Sequence, residues 1–356
     1  MSVVTDTPLV FRGLLAEELA DFFARAPHRE LVPELADELS ALILSGGKRL
    51  RPAFAWCGWL AAGGPATGPA ARATLRALVA LELLQGCALV HDDVMDRSAT
   101  RRGRPSAHEA FARRHERGAW AGQARRYGES SAILVGDLAL AWADDALVTA
   151  GLPSAALGRA WEPWRAMRTE MIAGQHLELL GGARRAESTA EAVRVAELKT
   201  AAYTVERPLQ LGAAIADGAP ELVAALRAYG RDVGVAFQLR DDLLGVFGDC
   251  ARTGKPAEDD LREGRRTVLM TTALELARAN GNRVAERILR ACLDGGATDL
   301  ERVRTLLIDL GAVAAVEQRI DQLTDRGLRA LDRLPLAPEP REQLRLLASR
   351  ATRRGR

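Results

Sequence analysis

The strongest constraint in this sequence is one long, largely apolar segment, residues 70–94, whose end overlaps the acidic motif His91-Asp92-Asp93-Val94-Met95-Asp96. Apolar residues at almost every position over this length predict one helix that is buried on most of its faces. Alternation of apolar and polar residues, the pattern of half-buried strands, is nearly absent from the chain. We therefore predict an all-α fold.

Helical periodicity recurs along the rest of the chain, with Gly or Pro between most segments. Helices are predicted at residues 9–26, 31–44, 51–60, 130–150, 163–180, 188–216, 220–246 and 266–280, and the pattern continues to residue 334. Residues 97–128 are polar and rich in arginine, so we predict a loop with short helical pieces there. No repeat or linker divides the chain, which predicts a single domain over residues 1–349 and a basic, flexible tail at residues 350–356.

Composition excludes several classes of protein. The formal net charge is +2 and aromatic residues make up 4%, which gives no reason to expect a nucleic-acid partner or a β-rich fold. In the arginine-rich residues 113–126, Trp120 is the only aromatic residue for stacking on bases, so a flap near a diphosphate entrance fits better than a nucleic-acid site. The four cysteines are far apart and suit a reducing compartment. We expect a cytoplasmic protein with no stable membrane insertion.

The acidic end of the long apolar run carries the first chemical indication. Carboxylates at positions i and i+4 share a helix face, so Asp92 and Asp96 point the same way. Like charges placed in this way repel each other unless a cation lies between them, and Mg²⁺ prefers such oxygen ligands. Alone, the motif is equally compatible with a solvated helix end.

A second apolar helix ends in the same manner, with Asp241 and Asp242 after Phe237-Gln238-Leu239-Arg240. Two such ends can face each other across a cavity. Cationic residues in loops and at helix ends accompany them: Lys48, Arg49 and Arg51, Arg101 and Arg102, Lys199 and Lys255. A site for two diphosphates needs divalent ions for one and direct Lys or Arg contacts for the other, and the sequence offers both.

These segments together resemble the polyprenyl synthetase family of trans-isoprenyl diphosphate synthases, geranylgeranyl diphosphate synthases in particular. The resemblance rests on Gly46-Gly47-Lys48-Arg49-Leu50-Arg51-Pro52, the first aspartate motif, Arg101-Arg102-Gly103-Arg104-Pro105, and then Gly136-Asp137, Gly174-Gln175, Lys199-Thr200, Phe237-Gln238, Asp241-Asp242 and Gly254-Lys255 in the family's order. It covers residues 45–267. The resemblance implies a helical bundle around a central cavity, a homodimer, and a head-to-tail condensation of isopentenyl diphosphate with an allylic diphosphate.

The resemblance also implies a role for individual residues. Asp92, Asp96, Asp241 and Asp242 would hold Mg²⁺, three ions per active site, on the allylic diphosphate, and Arg101, Lys199 and Lys255 would contact the same diphosphate. Lys48, Arg51, Gln85 and Arg102 would bind isopentenyl diphosphate without metal. Thr200 and Gln238 would line the reacting region. Asp92, Asp96, Lys199 and Asp241 are the expected catalytic residues.

The second motif departs from the family's DDxxD pattern, because Gly245 stands where the last aspartate is expected. Water can fill a Mg²⁺ position, so we expect an active enzyme in which Gly245→Asp changes activity modestly. Two other interpretations stay open at this point. One is a weakly active or non-catalytic subunit of a heteromeric synthase, and the other is a terpene cyclase, which would need a different magnesium motif at Asp241-Asp242.

The helix that ends at Asp92 also bears on product length. One helical turn rises about 5.4 Å, close to the length of an extended isoprene unit, so successive turns act as marks along the growing chain. The first mark before the motif is Cys87 and Ala88, which are both small, and the next marks are Leu84 and then Leu81 or Ala80. We therefore expect geranylgeranyl diphosphate or a somewhat longer product.

Overall fold

The structure, a computed structural model, describes residues 7–248, 259–296 and 299–353. Its helices are α1 (Thr7–Ala24), α2 (Pro33–Leu44), α3 (Leu50–Ala61), α4 (Pro69–Met95), α5 (Ala107–Arg117), α6 (Ala124–Val148), α7 (Ser154–Arg184), α8 (Thr189–Val195), α9 (Arg207–Ile215), α10 (Pro220–Phe247), α11 (Asp259–Arg262), α12 (Val268–Ala279), α13 (Arg283–Leu293), α14 (Leu300–Asp309), α15 (Ala312–Asp332) and α16 (Pro338–Thr352), with a 3₁₀ turn at Arg29–Leu31 and a π-helical segment at Ala196–Glu206. Among the described residues, strands are limited to β1 (Thr100–Arg101) and β2 (Arg104–Pro105). The all-α prediction is confirmed.

The chain divides into two compact units. The first comprises Met1–Trp161 and Gly212–Asp217, and the second comprises Glu162–Leu211 and Gly218–Arg356. The single domain over residues 1–349 stays a prediction. Residues 350–352, which we expected to begin a flexible tail, instead form the last turn of α16, where Ala351 and Thr352 are buried.

The first unit is built around α4. This helix contacts α1, α2, α3, α5 and α6, which explains why its sequence is apolar on nearly every face. By length and composition α4 is the one described helix that is apolar enough to cross a membrane, but 78% of its most apolar window is buried in the protein. Burial of this kind is what a core helix requires.

The segment between α4 and α6 is more ordered than we expected for residues 97–128. It contains the β1–β2 hairpin and the regular helix α5, and α6 already begins at Ala124. In α5 the residues Ala107, Phe111 and His115 recur at four-residue spacing and are buried, while the arginines lie on its other faces. The expected short helical piece is present, but it is a regular helix of three turns, and its extent could not be predicted because a narrow buried face lies among charged residues.

The second unit is organised by α10, which contacts α15, α12 and the π-helical segment. Pro220 opens α10 at a position where a missing N–H costs nothing. Near its other end, Leu239, Leu243 and Val246 belong to a core that also includes Leu269 of α12. Packing of these side chains fixes the last turns of α10, where Asp241 and Asp242 lie.

Glycines allow the π-helical segment to approach its neighbours closely. A side chain added at Gly174 of α7 would place its first carbon 2.3 Å from the backbone nitrogen of Lys199. The same addition at Gly234 of α10 would place a carbon 2.6 Å from the Cα of Ala201. Because these are contacts with backbone atoms, no rotation of a side chain relieves them. The two glycines thereby determine where Ala196–Glu206 lies.

We predict that Gly234→Ala lowers the free energy of unfolding by about 1–3 kcal/mol, because the new methyl group must displace the backbone at Ala201. Gly158→Ala is the matched control: Gly158 is also helical, nothing lies within 4 Å of its added carbon, and alanine is the better helix former. Chemical denaturation of both variants checks this. Equal stability of Gly234→Ala and the wild type would contradict the close approach.

Candidate active site

The first aspartate motif lies at the C-terminal end of α4 in the first unit. Asp96 is the C-cap residue in αR conformation, and its N–H donates to the carbonyl of Asp92 at 2.8 Å. The helical turn is thus unbroken between the two residues. Asp92 and Asp96 therefore project from the same face at the end of a buried helix, as a shared metal site requires.

The aspartate between them has a different environment. Asp93 is buried, and its carboxylate accepts hydrogen bonds from Nε of Arg101, at 2.9 Å to Oδ1, and from Nη2 of the same guanidinium. Arg101 Nη2 also lies 3.7 Å from Oδ2 of Asp92. Asp93 therefore holds the Arg101 guanidinium beside the carboxylate of Asp92, which is where a diphosphate held by the motif would need a cation.

A tight hairpin brings Arg101 to this place. In the β1–β2 pair Arg101 lies opposite Arg104, and the two turn residues, Arg102 and Gly103, both have positive φ, 54° and 72°. Two positive φ angles are typical of the I′ turns that join twisted strands. The turn directs the Arg102 side chain to the end of α2 and the loop after it. Nη1 of Arg102 donates to the carbonyl oxygens of Leu42, at 3.0 Å, and Gly46, at 2.6 Å.

Arg102 thereby meets the loop between α2 and α3 that carries Lys48 and Arg49. Arg49 has φ 51° and is the N-cap of α3, and its guanidinium forms a buried ion pair with Glu82 of α4 and donates to the carbonyl of Ile43. This pair attaches the loop to the core helix. Positive φ angles at Gly46 and Gly47 allow the chain to turn back over Arg102.

Cations are concentrated around this loop. Burial lowers the pKa of Arg102, and the positive charges of Arg49, Arg101 and Arg51 lower it further, while Glu82 opposes them. Arg51 lies in the first turn of α3, and Lys48 is exposed in the loop before it. An anion without a metal would relieve this repulsion, which is the chemistry expected of the isopentenyl diphosphate site.

Gln85 belongs to the same neighbourhood on α4, one turn after Glu82. Among the half-buried residues of the helix and its C-cap, Gln85, Ala88, Asp92 and Asp96 follow one another at spacings of three or four, and Leu89, also half-buried, lies beside Ala88. They therefore form one accessible stripe along α4 that ends at the aspartates.

The second aspartate motif lies at the end of α10 in the second unit. Asp241 is exposed, whereas Asp242 is buried and accepts a hydrogen bond from Nε2 of Gln238 at 2.6 Å. Burial raises the pKa of Asp242 to about 8, and the negative charges of Asp260, Asp241 and Glu178 add to this effect. The carboxylates at this end of the helix are thus crowded enough to favour a cation among them.

Residues of the π-helical segment connect to this cluster. The hydroxyl of Thr200 donates to Oε1 of Gln238 at 2.5 Å, so a chain of hydrogen bonds runs from Thr200 through Gln238 to Asp242. Lys199 forms an ion pair with Glu178 of α7. Segments of π-helix are uncommon and often occur at functional sites. Here the segment supplies both an ammonium group and a hydroxyl near the end of α10.

The donor sets fit Mg²⁺. Oxygen ligands alone are present at both motifs, and the raised pKa of Asp242 indicates carboxylates that a divalent cation would stabilise. Within the described residues no three His, Cys, Asp or Glu side chains are already grouped around a metal position. This agrees with the usual manner of Mg²⁺ binding, in which one or two carboxylates act together with water and the oxygens of a substrate phosphate.

The structure places all but one of the residues expected from the sequence. Lys48, Arg51, Gln85, Asp92, Asp96, Arg101 and Arg102 lie in the first unit, and Lys199, Thr200, Gln238, Asp241 and Asp242 lie in the second. Lys255 lies outside the described residues. The structure brings Arg101 to Asp92, the loop of Lys48 to Arg102, and Thr200 and Gln238 to Asp242; the catalytic and binding roles themselves stay predictions.

Sequence reasoning missed the acidic residues that position these groups. Asp93 holds Arg101, Glu82 holds Arg49, and Glu178 holds Lys199. Glu82 offered one indication, since it is a charged residue in the middle of an otherwise apolar run. The indication for Glu178 was weaker: it lies four residues after Gly174, on the same face of the helix as the Gly174-Gln175 motif.

Comparison with known proteins agrees with these observations. A family model described as polyprenyl synthetase matches residues 32–307. A geranylfarnesyl diphosphate synthase of Aeropyrum pernix is 30% identical over 343 residues, which cover 94% of this chain and 97% of that protein. A (2E,6E)-farnesyl diphosphate synthase of Mycobacterium tuberculosis is 32% identical over 309 residues, 85% of this chain and 78% of that protein.

Solved structures give the same result. The geranylgeranyl pyrophosphate synthase of Corynebacterium glutamicum, complexed with isoprenyl diphosphate and magnesium, is similar with a TM-score of 0.91 and 43% identity, covering 99% of this chain and 100% of that chain. A polyprenyl synthase of Caulobacter crescentus, complexed with calcium and isoprenyl diphosphate, is similar with a TM-score of 0.77 and 28% identity, covering 98% of this chain and 94% of that chain.

We predict that Asp92→Ala lowers turnover on the order of a thousandfold, equivalent to several kcal/mol of transition-state stabilisation, because a metal ligand is lost while other contacts to the substrate remain. Asp145→Ala, at an exposed position of α6, is the matched control and should retain wild-type turnover. Steady-state kinetics over a range of Mg²⁺ concentrations checks both. Near-normal turnover of Asp92→Ala at ordinary Mg²⁺ would mean that the residue is not a metal ligand.

Proposed function

Because this chain belongs to the polyprenyl synthetase family, and is a Mg²⁺-dependent trans-prenyltransferase that condenses isopentenyl diphosphate with an allylic diphosphate, we propose geranylgeranyl diphosphate as its main product. The observation that carries the proposal is the accessible stripe of α4, Gln85, Ala88, Asp92 and Asp96, which bears a small residue one turn before the aspartates.

The proposed reaction begins when the allylic C–O bond breaks and its electron pair leaves with the diphosphate. Bound Mg²⁺ supplies stabilisation of the charge that grows on the leaving oxygen. Arg101 is held by Asp93 and Lys199 is held by Glu178. We propose that both cations contact this diphosphate and share that charge, as in the family that the motifs resemble. We propose three ions per site, divided between the two aspartate motifs.

The second substrate needs binding and orientation only. Lys48, Arg51 and Arg102, together with Gln85, are proposed to hold the diphosphate of isopentenyl diphosphate without metal, since Arg102 meets the loop that carries Lys48 and the positive charge of Arg51 acts on Arg102. Its double bond attacks the allylic cation, and the proton that is then lost goes to the departed diphosphate. No protein nucleophile takes part, and Thr200 and Gln238 lie close enough to the second motif to line the reacting region.

Product length follows from the residues that succeed one another inward from Asp92. Ala88 is half-buried on the accessible stripe, whereas Cys87 is buried, lies 3.8 Å from Nδ1 of His91, and belongs to a different face of the helix. Ala88 is therefore the better first mark. Further inward the stripe continues at Gln85, and Leu84 and Leu81 beside it are larger than alanine and fully buried. We propose that the floor lies one or two turns deeper than Ala88.

We predict that the purified wild-type protein, without any partner, converts dimethylallyl and isopentenyl diphosphates mainly into geranylgeranyl diphosphate, and that Ala88→Phe shifts the product to farnesyl diphosphate. The phenyl ring would close the wall one turn from the anchored diphosphate. Ala88→Ser, which keeps the residue small, is the control and should leave the product unchanged. Chromatography of the dephosphorylated products checks this.

An unchanged product spectrum from a folded, active Ala88→Phe protein would contradict the proposal that residue 88 limits product length. An inert wild type that gains activity only with a second polypeptide would instead support the interpretation as a subunit of a heteromeric synthase.

We further propose a homodimer that acts in the cytoplasm. Ile133, Leu134 and Val148 are about half exposed on one side of α6, and apolar residues grouped on a helix are suited to cover the same face of a second copy. Sedimentation velocity should give twice the mass of the chain, and Leu134→Asp should lower the measured mass toward that of one chain.

The proposed location rests on the cysteines. Cys87 and Cys292 are buried thiols, which agrees with a reducing compartment, and cell fractionation tests the location.

A further inference from the structure

The incomplete second motif has a structural explanation. Helix α10 continues to Phe247, so residue 245 lies one turn after Asp241 and on the same face. A side chain added at Gly245 would place its first carbon 2.0 Å from Oδ2 of Asp260 and 2.8 Å from Cγ of the same carboxylate. The carboxylate of Asp260 therefore already occupies the space that the missing aspartate side chain would fill.

The backbone around Asp260 is firmly attached to the same unit. Asp260 belongs to the short helix α11, which contacts α10. The next residue, Leu261, is buried in the core with Leu243 and Val246 of α10, and its carbonyl accepts a hydrogen bond from the thiol of Cys292. The position of the Asp260 carboxylate beside Gly245 is thus set by core packing of its neighbour.

Asp260 also lies beside the motif. Its carboxylate fills the space one turn after Asp241 on α10. Nε of Arg265 lies 3.6 Å from Oδ1 of Asp260 and 2.6 Å from Oε2 of Glu263, so this guanidinium lies between two acids. Asp241, Asp242 and Asp260 together offer the oxygen ligands that a divalent cation such as Mg²⁺ prefers.

We propose that Asp260 supplies the carboxylate that the second motif lacks at Gly245, and that it binds, directly or through one water, the Mg²⁺ ion held by Asp241 and Asp242. The proposal rests on the proposed function for the identity of the metal. It gives the second motif three carboxylates, two from the helix and one from the segment that follows it. It also replaces our expectation that water alone fills the vacant position of the motif.

This arrangement changes the expected effect of substitutions at Gly245. An aspartate introduced there has to share its space with Asp260, so Gly245→Asp should be destabilising and not a simple gain of a ligand. Removing Asp260 at the same time clears that space. The double variant Gly245→Asp/Asp260→Ala therefore moves the carboxylate from α11 to α10 and restores the family's DDxxD pattern.

The test is a titration of Mn²⁺ into the full-length protein in the presence of inorganic diphosphate, followed by calorimetry and by electron paramagnetic resonance of unbound Mn²⁺. Asp260→Ala and Asp260→Asn should weaken one of the bound ions about tenfold or more, the size of effect that loss of a metal-site carboxylate produces. Gly245→Asp/Asp260→Ala should recover most of this affinity. Thermal unfolding in EDTA shows whether each variant is folded.

Two controls separate a metal ligand from a structural residue. Gly245→Ala/Asp260→Ala has the same cleared space without a carboxylate and should stay as weak as Asp260→Ala. Asp309→Asn removes an exposed carboxylate at the end of α14 and should bind Mn²⁺ as the wild type does.

Wild-type Mn²⁺ affinity in Asp260→Ala, or a Gly245→Asp/Asp260→Ala protein no better than its alanine control, would overturn the proposal. So would a wild type that binds no Mn²⁺ with inorganic diphosphate. The failure of the proposed function has another signature, namely a wild type that binds Mn²⁺ through Asp260 and yet forms no prenyl product.

Discussion

Carboxylates at the ends of α4 and α10 are the constraint on which the rest of this structure depends. Each helix packs into the core of its own unit, so the aspartates at the end of one helix cannot move apart to reduce the repulsion within that motif. One carboxylate of each motif is held by a neighbouring side chain, Asp93 by Arg101 and Asp242 by Gln238. Divalent cations bound by the carboxylates of each motif would bring the diphosphate with them.

The same arrangement agrees with the proposed chemistry, which uses no protein nucleophile. Ionisation of an allylic diphosphate requires groups that stabilise growing negative charge in fixed positions. Two of the cations predicted to contact the allylic diphosphate are held by carboxylates that are not themselves predicted ligands, Arg101 by Asp93 and Lys199 by Glu178. Such pairs keep long, flexible side chains in place before the substrate arrives, which lowers the cost of reorganisation.

Much of this was predictable from the sequence, for reasons that particular elements make clear. Helix α10 was predicted at residues 220–246 and found at Pro220–Phe247, because its apolar periodicity and its initial proline are local features. The motif residues were predictable because they are contiguous in sequence. Helix α5 was predicted only as a short helical piece without bounds, since few buried residues, among them Ala107, Phe111 and His115, mark its buried face among arginines.

Other features depend on tertiary contacts and could not be predicted. The π-helical turn that carries Lys199 and Thr200 depends on close approach of backbones at Gly174 and Gly234, and no local pattern reports such an approach. Asp260 comes to Gly245 because Leu261 is buried against α10, so only the folded chain reveals the pair. Lys255 lies outside the described residues, and its expected contact with the allylic diphosphate stays a prediction.

Both aspartate motifs are proposed to bind divalent metal in one functional enzyme. A crystal structure of the protein with Mn²⁺ and inorganic diphosphate, in which anomalous scattering locates the metal, measures this directly. We predict anomalous peaks within coordination distance of Asp92 and Asp96 and others beside Asp241, Asp242 and Asp260. Diphosphate bound without metal, or Mn²⁺ found at only one of the two motifs, would contradict it.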